Sequence, residues 1–217
     1  MIVKNNNRGQ SLVELSLIFP ILLLLVAGIV EIGFYAYNYL TLLELTREAA
    51  RFASIRDIFA AEYDSSDLPQ SACDDGSKLH YFYDTACILV DETLGFNPYL
   101  FLDPAIDDVV ISVFTIDSGV VSHRWPASGG IWSLYSDNWQ KDCDGNVINT
   151  VPFFTNTEIE NMLDSQAPVE EGFVVVEAYY CHWQVLNLPM VNQLANPIRL
   201  HAYSVISASE AVPTLVP

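Results

Sequence analysis

A chain of 217 residues has room for one ordinary domain and an added segment, and an apolar share of 51% with a mean hydropathy of +0.26 excludes intrinsic disorder. The net charge of −18 is spread unevenly: five of the nine basic residues (Lys4, Arg8, Arg47, Arg51, Arg56) precede Asp57, and from Asp57 onward 23 acidic residues face four basic ones. A body this acidic repels phosphate backbones, which argues against nucleic acid as a partner, and its plain reading is a solubilising surface.

Residues 1–9 form a short, polar, basic leader. From Ser11 to Val30 the chain reads SLVELSLIFPILLLLVAGIV, with Glu14 its single charge. A helix of about 20 residues, rising about 1.5 Å each, crosses the roughly 30 Å of bilayer hydrocarbon. Phe34, Tyr35, Tyr37 and Tyr39 follow as an interfacial aromatic belt, so residues 10–40 are expected to be a transmembrane helix. Lys4 and Arg8 should hold the N-terminus in the cytoplasm and place the C-terminal part outside the cell. A cleaved secretory signal fits poorly. Its apolar region would be too long, Glu14 lies near its start, and helical pattern continues without a break into TLLELTREAARFASIRDIFAAEY.

Two residues in the span are costly. A carboxylate such as Glu14 costs roughly 2.5–3.5 kcal/mol at mid-bilayer and less near an interface. It is kept where it stays close to water or meets a cation. Pro20 removes one helical hydrogen bond and should kink or loosen the helix.

Gly9-Gln10-Ser11-Leu12-Val13-Glu14 sets a glutamate five residues after a glycine, behind a basic leader and ahead of an apolar helix. This arrangement resembles the processing site of type IV-like prepilins. The resemblance implies cleavage between Gly9 and Gln10 by a prepilin peptidase, and pairing of Glu14 with a neighbouring subunit's new N-terminal amine. The wider stretch is similar to the TadE family, pseudopilin-like components of tight-adherence (Flp) pilus systems. Arg8-Gly9-Gln10-Ser11, Pro20, Gly28-Ile29-Val30-Glu31 and Arg47-Glu48-Ala49-Ala50-Arg51 carry that similarity over about residues 8–55. Its implied partners are membrane lipid, other pilin-like subunits and the Tad secretion machinery.

The helix is expected to run from about Gln10 to Phe59 or Tyr63. Leu42, Leu45, Ala49, Phe52, Ala53 and Phe59 give it an apolar stripe, opposite Glu44, Arg47, Glu48 and Arg51. Asp64 to Pro69 and Asp74 to Gly76 read as loops, and Ser77 caps a second helix over Lys78 to Gly95. Val109 to Ile116 is a strand by its β-branched content, turned by Asp117-Ser118-Gly119 into a second, Val120 to Trp125. Residues 126–156 read as irregular. Thr157-Glu158-Ile159-Glu160 has the spacing of a capping box and starts a short helix to about Ser165. Phe173 to Gln184 and Ile198 to Ser207 complete about four antiparallel strands.

The sum is an α+β fold, pilin-like in outline: a long N-terminal helix packed on a small antiparallel sheet, with one or two short helices besides. The exported domain is then 41–217, into which the helix continues to about residue 60. Four cysteines (Cys73, Cys87, Cys143, Cys181) all follow the apolar segment, and an even number in an exported region points to two disulfides over buried thiols. Of the three pairings, Cys73–Cys87 and Cys143–Cys181 suit the layout. They would clip the loop onto the second helix and the irregular middle onto a core strand.

Chemistry is sparse. No G-x-S-x-G, H-E-x-x-H, P-loop or G-x-G-x-x-G occurs, and His80, His123, His182 and His201 are scattered singly, so no enzyme and no cofactor is expected. Asp142, Asp144 and Asn146 alternate like calcium ligands but lack the rest of an EF-hand, and a plain turn suits them better. Trp125, Trp132, Trp139 and Trp183 read as packing residues ahead of a sugar or partner surface. The expected function is therefore that of a membrane-anchored, non-enzymatic minor pilin or pseudopilin-like assembly component. The alternative is a single-pass adhesive or sensory binding module outside any pilus.

Overall fold

The computed structural model describes residues 8–56, 80–90, 100–126, 131–163, 171–187 and 196–208. Helix α1 (Arg8–Ser54) runs 47 residues without interruption and continues through Pro20. It ends at Ser54, short of the expected Phe59 or Tyr63, and its last carbonyls find side-chain and turn partners. Ser54 Oγ donates to Arg51 O (2.9 Å), while Tyr81 OH and Arg56 N both donate to Ala53 O (3.1 and 3.2 Å). Phe59, the two expected acidic loops and Ser77 lie outside the described residues.

Helix α2 (His80–Val90) lies within the expected 78–95, whose two ends fall outside the described residues. β1 (Asp108–Asp117) and β2 (Val120–Trp125) form the expected hairpin. Ser118 and Gly119 both take positive φ (53° and 82°), the geometry of a two-residue primed turn, which glycine adopts at no steric cost. A bulge after Thr115 leaves Ser122 as the extra residue, its Oγ donating to Thr115 O (3.1 Å).

Two further elements differ from expectation. A two-residue strand, β3 (Trp132–Ser133), pairs with β1 inside the stretch read as irregular, which makes five strands. Helix α3 (Asn156–Met162) is capped by Thr155, not Thr157: its side chain accepts from Glu158 N (3.2 Å). The capping spacing holds two residues earlier, at Thr155-x-x-Glu158. The helix also stops before Ser165, at a Leu163 cap. β4 (Gly172–His182) and β5 (Ile198–Ala208) then close the sheet in the order β2-β1-β4-β5, antiparallel throughout.

Both faces of the central strands are covered. On one, Leu42, Leu45, Ala49, Ala50 and Ala53 of α1 and Phe82, Ala86 and Leu89 of α2 bury Val109, Ile111, Val113, Val174, Val176, Ala178, Leu200 and Ala202. The three alanines let α1 lie close to Ala178 and Ala202. Trp132 joins this side between Phe82 and Tyr83 (5.8 and 4.8 Å between ring centroids). On the other face Phe114, Ile116 and Val175 pack on Phe154 and Ile159, and Val110 and Tyr179 on Trp139. Alternate residues of β1 thus feed two cores, which is why its apolar run is nearly continuous.

Candidate functional site

Helix α1 changes character along its length. Its apolar side chains from Leu12 to Leu25 stand exposed, whereas Leu42, Leu45, Ala49, Ala50 and Ala53 are buried against the sheet. The exposed part is long and apolar enough to cross a membrane. Glu14 lies in it, and Gly28 and Gly33 face open space, so nothing in the chain's own fold requires them to be small. Gly9 and Gln10 lie in the helix's first turn. The side chains of residues 8–11 are outside the described ones.

The two regimes meet at Glu31, which is 8% exposed. Its carboxylate accepts Val185 N (3.2 Å) and Leu186 N, two donors of the loop that leaves β4. One turn further, Tyr35 sets its ring edge-on to His182 (5.9 Å), and Asn38 Nδ2 donates to His182 Nδ1 (2.9 Å). Burial pushes the His182 imidazole below its ordinary range, in keeping with a ring whose Nδ1 accepts. Sequence reasoning took Glu31 only as part of a family pattern and His182 as a scattered histidine. Only a spacing of one turn between Glu31, Tyr35 and Asn38 on a single face hinted at their meeting.

On the far face of the sheet and at the entry to β1 the acids are structural. Glu177 is buried, accepts from Tyr179 OH (2.8 Å) and pairs with His201 Nε2 (2.9 Å). Asp108 takes Ser133 Oγ (2.7 Å), Tyr135 N (3.0 Å) and Trp139 N (2.9 Å), binding β3 and the turn after it to β1. Asp107 accepts Asp103 N and Cys181 N, both at 2.7 Å, yet burial pushes its carboxyl up to about 6. Donors of the fold occupy these carboxylates: backbone N–H groups at Asp107 and Asp108, the Ser133 hydroxyl at Asp108 and the Tyr179 hydroxyl at Glu177. A cleft of about 200 Å³ lies here, between Trp139, Phe153, Tyr179, Arg199 and His201.

Cys143 and Cys181 form a disulfide that ties the irregular stretch to the end of β4. Cys87 is disulfide-bonded too, and Cys73 lies outside the described residues. The calcium candidate is a turn. Asp142 accepts the Asn146 side-chain amide (3.1 Å), which with Asn146 N (2.8 Å) and Asp144 N (3.0 Å) holds its carboxyl below the usual range. No cluster of three or more His, Cys, Asp or Glu suited to a metal occurs among the described residues. His123 is exposed, Trp132 and Trp139 are buried as packing residues, and Trp183 stands out in the open.

Residues 9–51 match the family model described as TadE-like protein. No curated protein and no solved structure matches the chain. The match starts on Gly9, takes in Glu14, Pro20 and Glu31, and ends with the last turn of α1, so the N-terminal helix is TadE-like and the domain beyond it is unmatched.

Proposed function

We propose that the protein is a membrane-anchored, pilin-like component of a tight-adherence (Flp) pilus assembly system, working through helix packing and protein contacts and not through catalysis. One observation carries the reading: a single TadE-like helix is bare and apolar at one end and forms the core of an α+β domain at the other. A bare apolar helix is stable in lipid or against other helices, and small residues such as Gly28 and Gly33 favour close helix approach there. Lys4 and Arg8 orient the leader to the cytoplasm and the domain to the outside, where cysteines oxidise. In this role the chain is a substrate of a prepilin peptidase at Gly9–Gln10, and Glu14 meets the freed amine of a neighbour.

The test is affinity purification from native membranes, with N-terminal sequencing of the recovered chain. Co-purification of pilin-like subunits and the secretion ATPase, with Gln10 as first residue, is the expected result. An anchored protein recovered without any pilus component would overturn the assembly role and leave a single-pass binding module.

A further inference from the structure

We propose that the end of the domain formed by Trp183 to Asn187 rests in the headgroup zone of the same bilayer that α1 crosses. The inference rests on the membrane-anchor reading and adds a second contact with lipid, made by the domain itself.

The first argument is one of level. A span of about 20 helical residues fills the hydrocarbon. Counted from Leu12, the first exposed apolar side chain among the described residues, such a span ends at Glu31. The Glu31 carboxylate holds Val185 N and Leu186 N, so these two residues are fixed beside the helix at the height where it leaves the membrane.

The second is composition. Trp183, Val185 and Leu186 are 53%, 56% and 45% exposed, and Ile32, Phe34 and Tyr35 lie open at the same height on α1. In a chain of which 17% is charged, residues 178–198 contain no Asp, Glu, Lys or Arg. A domain this acidic is repelled by an anionic leaflet, so the part that approaches it has to be neutral. Tryptophan and tyrosine beside aliphatic side chains are what the interface accepts.

The third is satisfaction. At the edge of the hydrocarbon an unpaired carboxylate or backbone N–H is costly, and Glu31 and the two amides answer each other. Between the helix and the end of β4 lies an apolar notch of about 220 Å³, lined by Glu31, Ile32, Tyr35, His182, Gln184 and Ile198. It is open to the first methylenes of a lipid chain. A domain docked in this way is held by the membrane at one angle to its anchor.

The test uses the full chain in phosphatidylcholine–phosphatidylglycerol vesicles whose lipids carry bromine either near the headgroup or deep in the acyl chain. The difference between wild type and Trp183→Phe isolates the Trp183 emission. That component should fall about twofold with shallow bromine and far less with deep bromine, as for an interfacial indole. Leu186→Asp should abolish the quenching while the protein still floats with vesicles. Unquenched Trp183 in protein that floats overturns this proposal and leaves the anchor standing. Protein that fails to float overturns the anchor, and this proposal with it.

Discussion

At the scale of single residues, three buried acids, Asp107, Asp108 and Glu177, serve the fold. Asp107 accepts two backbone N–H groups, which favour its charge, but the desolvation of a nearly inaccessible carboxyl outweighs them and lifts it to about 6. The unfolded chain ionises this group near 4, so its contribution to stability is complete below that pH and is lost as pH rises through about 6. Between pH 4 and 6 this loss amounts to at most about 3 kcal/mol. Asp107→Asn should remove that slope, as seen by thermal unfolding in nanodiscs at a series of pH values; equal slopes in both proteins would refute the assignment. Other titrating groups, including His182 with its opposite sign, cancel in the comparison. At Thr155 the helix cap is one hydrogen bond to Glu158 N, and Thr155→Ala should cost about 1 kcal/mol. A loss no larger than that of Thr157→Ala would restore the register first expected. Neither the acids nor the cap position was legible in sequence. An Asp-Asp pair at the start of a strand looks like surface, and Thr155 and Thr157 are equivalent to any rule that counts to an acidic residue.

Among elements, legibility followed periodicity and length. The bare and packed halves of α1 were both written in its pattern, because twenty apolar residues read as a span and a three-to-four spacing reads as a core face. β1 and β2 emerged from β-branched content and a turn signal, to within a residue. β3 did not, since two residues carry no period, and its place is set by Asp108 and by the stacking of Trp132 on Phe82. The expected end of α1 failed because amphipathic pattern continues past Ser54, whereas the helix stops where Tyr81 of another element takes a carbonyl. The meeting of Glu31 with residues 185 and 186 was hidden for the same reason: it joins positions more than 150 apart. One element-level tie was readable, that of Cys143 to Cys181. It secures the irregular stretch to the same end of β4 that Asp107 holds through Cys181 N. Replacing both cysteines by serine should cost about 2–4 kcal/mol and loosen residues 131–150, read as faster amide exchange there with α1 unchanged. Unchanged exchange would mean that Asp108 and Arg199, which also hold this stretch, suffice without the disulfide.

For the whole molecule, α1 is a single lever. No break interrupts it between Arg8 and Ser54, so an event at its membrane end is carried to the domain by one continuous element. Its two glutamates have separable duties. Glu31 works inside the chain, as the clasp on the β4 loop; Glu14, some 17 residues and about 25 Å nearer the leader, lies where the pilin-like resemblance puts a contact between subunits. Glu14→Gln keeps size and hydrogen-bonding capacity and removes charge. Insertion should therefore be unimpaired or slightly easier, because the neutral amide is cheaper in lipid. The domain should fold as before, since the Glu14 side chain stands among exposed residues far from either core. Association should weaken, because an ion pair with a neighbour's amine is worth more in low dielectric than in water. The comparison is recovery of pilus components with wild type and Glu14→Gln at matched membrane levels, alongside Glu31→Gln. Glu14→Gln should lose partners while keeping Trp183 where it is. Glu31→Gln should disturb Trp183 first. Equal recovery with Glu14→Gln, and pili still displayed, would reduce Glu14 to a carboxylate kept close to water, and subunit contact would then have to come from the uncharged faces of the helix.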